Sequence, residues 1–199
     1  MNALTPFPAA VQAEPAPHRF SVEDFYAMMK AGVIEEGDRQ ELIDGEVIDM
    51  AGDGPRTLAM TSAIFIWLAR GIETARFRVF PNATLVLSKF NAPSPDWWVA
   101  PVTVPIADLR GPDALLVIEQ SDTTLAGDLG RKARLYAAHG VRDYWVIDLE
   151  RREVHVHRDP AEHGYGSITV ITADAAVETL LIPGLTLCLD RLLPEEETT

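Results

Sequence analysis

The pattern of apolar and polar residues predicts short strands that alternate with amphipathic helices. Leu115–Ile118 holds four large apolar residues in a row, which is typical of a strand covered on both faces of a parallel or mixed sheet. Apolar residues recur at helical spacing between Leu58 and Ile72, which predicts a helix packed on that sheet. The Asp44-Gly45 pair predicts a hairpin turn, because both residue types tolerate a positive φ.

The other segments complete a mixed order of elements. Ser21, with Asp24 three residues on, predicts the capped start of a first helix that Gly32 ends, and a later amphipathic helix carries Asp128 and Lys132. Strands are predicted at about 39–43, 46–50, 77–80, 84–87, 96–100, 114–118, 153–158, 165–172 and 186–189, with one more ending at Asp148. This order predicts an α/β (α+β) fold in which helices flank a mixed β-sheet.

Length and composition predict one domain. The 199 residues allow a well-buried core, and we expect a flexible N-terminal lead-in at 1–18, the domain at 19–190 and an acidic tail at 191–199. The single cysteine, Cys188, excludes an intrachain disulfide framework and fits a reducing, cytoplasmic location. The chain shows neither a secretory signal nor a segment long enough to span a membrane, so no membrane partner is predicted.

The formal net charge of −13 affects any expectation about nucleic acid. Affinity for DNA comes largely from Lys and Arg side chains that neutralise phosphates, and this chain has no basic run. The charge therefore disfavours tight, non-specific DNA binding. It leaves room for local basic patches, or for a metal ion that offsets the repulsion at one site.

Three carboxylates stand at the ends of predicted strands: Glu41, Asp96 and Glu119. Lys132 follows on the next helix, where its side chain could reach back over the strand ends. Acids with one lysine are the set that metal-assisted phosphodiester hydrolysis requires. Hard oxygen ligands hold Mg²⁺, and the lysine stabilises developing charge or positions the nucleophile.

These segments resemble the bacterial Uma-type family of restriction-endonuclease-like proteins, a branch of the PD-(D/E)XK nuclease superfamily. The resemblance covers about residues 19–190. The matching pieces, in the family's order, are Glu41–Glu46, Pro95-Asp96, Val117–Glu119, Asp128 with Lys132 and Tyr136, and Gly140–Asp148.

The resemblance implies a restriction-endonuclease-like mixed sheet and a Mg²⁺-dependent endonuclease, with Mn²⁺ as substitute, DNA as substrate and often a homodimer. It implies that Asp96 and Glu119 are metal ligands and that Glu41 completes or orients the metal shell. Lys132 would replace the lysine that the superfamily keeps two residues after the second acid, since that position is Ser121 here.

The chain departs from the family pattern in three ways, of which the first two, together with the acidic net charge, motivate an alternative function. Thr57 and Leu58 stand where the family has a histidine, Ala92 where many members have an acid, and Gln120 where an apolar residue is usual. The alternative is a catalytically decayed nuclease fold that acts as a binding or assembly module.

Ordinary structural roles compete with several of these assignments. Glu41 could be an exposed hairpin acid, and Asp128 with Lys132 could form a solvent-exposed helix ion pair of little energetic weight. His155 and His157 share one face of a strand and could chelate a metal, but their Arg and Glu neighbours favour a surface position.

Overall fold

The computed structural model describes residues 17–35, 39–50 and 52–192. Its centre is a six-stranded mixed sheet in the order β3-β4-β5-β6-β7-β8, in which only β5 and β6 are parallel. The strands are β3 (Phe77–Pro81), β4 (Trp97–Pro101), β5 (Leu116–Ser121), β6 (Asp143–Asp148), β7 (Glu153–Ala161) and β8 (Gly164–Thr172). The predicted mixed sheet is therefore confirmed.

In the described part of the chain, two short strand pairs and five α-helices surround this sheet, and 3₁₀-helices lie at Ile106–Asp108 and Gly111–Asp113. The small pairs are β1 (Gln40–Ile43) with β2 (Glu46–Asp49), and β9 (Val177–Glu178) with β10 (Thr186–Leu187). The helices are α1 (Val22–Lys30), α2 (Pro55–Gly71), α3 (Leu125–Gly127), α4 (Ala133–Ala138) and α5 (Leu189–Leu192), and a π-helical turn, Asp128–Lys132, joins α3 to α4. Among the described residues no helix has the length and apolar character to cross a membrane.

Helix α2 covers one face of the sheet. Its buried side chains, with Ile64 and Leu68 almost fully inaccessible, pack on alternate residues of the central strands, including Ile118 and Trp145. The alternation follows from strand geometry, because successive side chains point to opposite faces. Gln120 comes next on this face and therefore points toward α2.

Helix α4 covers the opposite face. Leu135 and Tyr136 pack there on Val117, Tyr144 and Val146. Both faces of β5 and β6 are thus buried, which explains why their sequences read as continuous apolar runs. Glu119 lies on this second face, so its carboxyl group points toward the π-helical turn and α4.

The β1–β2 hairpin is a separate two-stranded sheet beside the main one. Asp44 and Gly45 have φ values of 56° and 79°, as a two-residue turn of this kind requires, so the predicted hairpin is confirmed. Leu42 packs on α1 and bonds through its backbone to Ala92. The hairpin carries Glu41 on its first strand.

Some local predictions were wrong. Residues 84–87 do not form a strand, because their backbone groups bond within a folded-back loop, with Leu85 N donating to Pro93 O. The predicted strand 186–189 ends at Leu187, and α5 follows it. His157 is 2% exposed and therefore not on the surface. Most of the lead-in predicted at 1–18 and of the tail predicted at 191–199 lies outside the described residues, so these boundaries stay predictions.

Candidate active site

Glu119 lies near the carboxyl end of β5, where the apolar core gives way to a polar cleft. The residue is 3% exposed. Lys132 Nζ donates to Glu119 Oε1 at 3.1 Å, and the Tyr136 hydroxyl donates to the same oxygen at 3.0 Å. A carboxylate this deep requires such partners, because burial of an unpaired charge is strongly unfavourable.

The Lys132 ammonium is the common partner of three carboxyl groups. Its Nζ lies 3.1 Å from Glu119 Oε1 and 3.3 Å from Glu41 Oε2. It also lies 3.8 Å from Asp128 Oδ1, and the Lys132 side chain is 12% exposed. The interpretation of Asp128 and Lys132 as a solvent-exposed pair is therefore wrong, since both side chains belong to this cluster.

Asp128 and Lys132 are the first and last residues of the π-helical turn. The Ala133 N–H bonds to the Asp128 carbonyl five residues earlier, and the Tyr144 hydroxyl donates to that carbonyl at 3.0 Å. Asp128 is held further by Ser121 and Thr124, whose hydroxyls donate to Oδ2. Single π turns inside helices are rare and are frequent at functional sites.

Glu41 enters the cluster from the β1–β2 hairpin. It is 4% exposed, so the interpretation as an exposed hairpin acid is wrong. Its Oε2 faces Lys132 and also accepts a hydrogen bond from the Ser94 N–H at 3.3 Å. Arg131 ties the hairpin to the helical segment, since its Nη2 donates to Ile43 O at 3.1 Å.

Asp96 immediately precedes β4, and the strand register places it opposite Glu119. Its Oδ2 accepts a hydrogen bond of 2.7 Å from the Gln120 N–H, and its Oδ1 lies 3.8 Å from Arg39 Nη2. Asp96 therefore borders the same cleft as Glu119 and Lys132 without a direct hydrogen bond to either.

Burial and charge change the pKa values of Glu119, Asp96 and Lys132 at this cleft. Burial raises the pKa of Glu119 to about 8, although the charge of Lys132 opposes the rise. Burial also raises the pKa of Asp96 to about 6, against the hydrogen bond from the Gln120 N–H. Burial would lower the pKa of Lys132, but the carboxylates of Glu119, Glu41 and Asp128 raise it above its ordinary value. Lys132 is therefore a permanent cation, whereas Glu119 binds a proton readily.

The cleft has a volume of about 420 Å³ and an acidic lining. Three basic side chains face it, and each has an acidic partner: Arg39 lies 2.6 Å from Asp53, Arg131 lies 2.7 Å from Glu46, and Lys132 has the partners given above. The cleft thus presents no unpaired positive charge from the described residues. Its seven acidic lining residues are Glu41, Asp49, Asp53, Asp96, Glu119, Asp122 and Asp128.

The donor chemistry fits a hard divalent cation. Carboxylate oxygens are the ligands that Mg²⁺ prefers, and Mg²⁺ keeps several waters when one or two carboxylates hold it. No hydrogen bond among the described residues uses Glu119 Oε2, Glu41 Oε1 or Asp96 Oδ1, so each carboxyl group has one oxygen left for another partner. The excess of negative charge around Lys132 also favours a cation.

The structure brings Glu41, Glu119 and Lys132 into direct contact and places Asp96 at the same cleft. Sequence reasoning gave no role to Tyr136, although its position four residues after Lys132 puts it on the same helical face. It gave none to Arg39 either, which contacts Asp53 and Asp96, and no sequence signal identifies that arginine.

Comparison with known proteins identifies the family of the chain. No curated protein matches the chain. A crystal structure of "a putative nuclease" from Anabaena variabilis ATCC 29413 is 18% identical in sequence, with a TM-score of 0.68, over 87% of this chain and 97% of that chain. At this identity the likeness shows the fold alone, and it confirms the predicted fold class. The Uma2 family, described as "Putative restriction endonuclease", matches residues 22–190. Because that match spans most of the chain and confirms the resemblance found in the sequence, the protein belongs to the Uma2 family.

Proposed function

We propose that the protein is a Mg²⁺-dependent endonuclease that hydrolyses phosphodiester bonds in DNA. The observation that carries the proposal is the contact of one buried lysine, Lys132, with carboxyl groups from the separate segments that hold Glu41 and Glu119. Membership of the Uma2 family supports a nuclease-like function for this cluster. DNA as substrate, the homodimer and the cytoplasmic location are parts of the proposal.

Glu119 and Asp96 would hold the metal ion, and Glu41 would complete or orient its shell. Bound Mg²⁺, or Mn²⁺ in its place, polarises the scissile phosphate and lowers the pKa of a bound water. The side-chain oxygens that lack hydrogen bonds supply the ligands. Tyr136 fixes the Glu119 carboxyl group through its Oε1, which leaves Oε2 for the cation.

Lys132 would act as a cation and a hydrogen-bond donor. Its raised pKa keeps the ammonium protonated, so it does not serve as a general base. Held by Glu119 and Glu41, the ammonium is positioned before the reaction begins. A fixed positive charge at the floor of the cleft would stabilise the negative charge that develops on the phosphate oxygens.

Cleavage of supercoiled plasmid DNA tests the proposal. The wild-type protein with Mg²⁺ or Mn²⁺ is expected to nick or linearise the plasmid, and Asp96→Asn is expected to lose this activity. Asp108→Asn is the matched control, because Asp108 is exposed and does not line the cleft. Cleavage that survives in Asp96→Asn would contradict the assignment.

The second candidate function is a decayed nuclease fold that serves as a binding or assembly module. The acidic lining of the cleft favours it, because phosphate groups are repelled unless a cation intervenes. Calorimetric titration with Mn²⁺ separates the two candidates. Stoichiometric binding that Asp96→Asn removes supports the nuclease, whereas no heat of binding at millimolar Mn²⁺ supports the module.

A further inference from the structure

A second group of metal-binding side chains lies outside the cleft, on the turn between β6 and β7. Asp148 ends β6 and is directly opposite Glu153, the first residue of β7. His155 follows Glu153 by two residues and points to the same face of the sheet. One ligand atom from each of the three lies within 4.8 Å of the others, and none of them lines the candidate active site.

The two carboxylates of this group face each other across the strand pair. Like charges directly opposite each other destabilise an antiparallel pair. The Asp148 side chain is only 2% exposed, and its one charged partner is Arg151, at 3.1 Å. Arg151 is 63% exposed, so water screens its charge and it offsets the repulsion weakly.

The imidazole of His155 provides independent evidence that a metal ion binds at this group of side chains. Its Nε2 has less than 1 Å² of accessible surface and makes no hydrogen bond to any described residue. The atom lies 3.1 Å from Glu153 Oε1, but the ring N–H does not align with that oxygen. A buried ring nitrogen without a hydrogen bond is unfavourable, and coordination of a metal through its lone pair would relieve the deficit.

The distances suit a borderline divalent cation. Zn²⁺ binds imidazole nitrogen and carboxylate oxygen at about 2.0–2.2 Å, which places neighbouring ligand atoms of a tetrahedral site roughly 3.3–3.6 Å apart. His155 Nε2 and Glu153 Oε1 are 3.1 Å apart, so a small outward movement of either side chain would let both contact one cation. The backbone N–H groups of Glu150 and Arg151 donate to Asp148 Oδ1 at 3.0 and 2.9 Å, which orients the carboxyl group and leaves Oδ2 toward Arg151.

We propose that Asp148, Glu153 and His155 form a separate Zn²⁺ site that joins the ends of β6 and β7. Its imidazole selects Zn²⁺ over Mg²⁺, which prefers oxygen ligands alone. Three protein ligands leave a fourth position for water. Bound Zn²⁺ supplies the positive charge that the opposed carboxylates lack and displaces the Arg151 guanidinium.

The test uses a chain whose candidate active site has been removed, so its outcome is independent of nuclease activity. Calorimetric titration of the Asp96→Asn/Glu119→Gln protein with Zn²⁺ is expected to show one equivalent of bound metal. Adding His155→Ala should weaken that binding at least about tenfold. His163→Ala is the control, since His163 is exposed in the turn between β7 and β8, at the opposite end of β7 from Glu153.

Two further measurements test the proposal if the His155→Ala variant fails to fold. Glu153→Gln keeps the side-chain volume at a half-buried position and is also expected to weaken Zn²⁺ binding about tenfold. Zn²⁺ is expected to raise the melting temperature of the parent protein, and Mg²⁺ at the same concentration is not. Absence of Zn²⁺ binding in the parent, or equal affinity in the parent and Glu153→Gln, would overturn the proposal.

Discussion

The neighbouring strands β5 and β6 end in the same way but lead to different environments. Each has an apolar run followed by an acid, Glu119 on β5 and Asp148 on β6, and the two strands are parallel, with both acids toward one end of the sheet. The partners of Glu119 are side chains from other segments, Lys132 and Tyr136. Asp148 instead accepts hydrogen bonds from the backbone of its own turn.

Glu119 and Asp148 have different kinds of partner because different segments follow β5 and β6. A tight turn to the antiparallel β7 follows β6, so backbone N–H groups are close enough to bind Asp148. A loop and a helical segment follow β5, so Glu119 contacts the side chains of Lys132 and Tyr136 instead of backbone groups. The partners of a strand-end acid thus depend on the connection that follows it: a tight turn supplies backbone N–H groups, and a longer helical connection supplies side chains.

The largest expected contrast is in activity. Glu119→Gln removes the charge of the proposed metal ligand and should lower the rate of plasmid cleavage with Mg²⁺ by about a hundredfold or more. Asp148→Asn makes the same chemical change one strand away and should keep cleavage within about threefold of wild type. Initial rates of nicking check both variants. Equal losses of nicking rate in the two variants would contradict the distinction between β5 and β6.

The next largest effect is on stability. Lys132→Met leaves the carboxyl groups of Glu119, Glu41 and Asp128 facing one another without their cation and should lower the free energy of unfolding by about 3 kcal/mol or more. Urea denaturation at pH 8 in the presence of a chelator measures it. Lys30→Met, at an exposed helix end, is the control, and a similar small change in both variants would contradict the prediction.

Asp148→Asn should have a smaller effect on stability. The amide keeps an acceptor for the N–H groups of Glu150 and Arg151 but loses the negative charge that strengthens those bonds. We expect a loss of about 1–3 kcal/mol in the free energy of unfolding, without Zn²⁺. Urea denaturation gives the value, and a more stable variant would show that repulsion from Glu153 outweighs the turn contacts.

The remaining expected effect is a difference in the pH dependence of stability. The folded pKa of Glu119, about 8, lies above its ordinary value of 4.5, so between these pH values the folded protein holds a proton that the unfolded chain has released. The free energy of unfolding should therefore fall as the pH rises through this window. Asp96, with a pKa raised to about 6, acts in the same direction.

Urea denaturation at intervals from pH 5 to pH 9, without divalent metal, measures this fall. Glu119→Gln cannot lose the proton, so its free energy of unfolding should fall less steeply than that of the wild type. Parallel curves for the two proteins would show that Glu119 is not protonated in the folded state.

Much of the fold followed from the sequence, because its signals are local. The Asp44-Gly45 turn, the helix that Ile64 and Leu68 anchor, and the buried strand before Glu119 each depend on a short stretch of residues. The segment 84–87 looked like a strand by the same rules, but its bonding partners lie in a loop near Pro93. Local pattern does not specify such a partner.

The candidate site was harder to anticipate, because its contacts join distant segments. Lys132 could be placed near Glu119 by helix direction, but its contact with Glu41 depends on how the hairpin docks beside the main sheet. The ion pair between Arg39 and Asp53 likewise depends on tertiary placement. His155 and His157 looked exposed because sequence neighbours do not reveal which strand face is covered.

The position of Lys132 depends on the number of residues in the π-helical turn as well as on their types. Successive residues of an α-helix are about 100° apart around its axis. A π turn holds one residue more than an α-helical turn, so deletion of Gly130 would let it close as ordinary α-helix and would change the angle between Asp128 and Tyr136 by only part of such a step. The spacing of these polar groups is therefore a matter of register, which a one-residue deletion changes with every charged side chain still in the sequence.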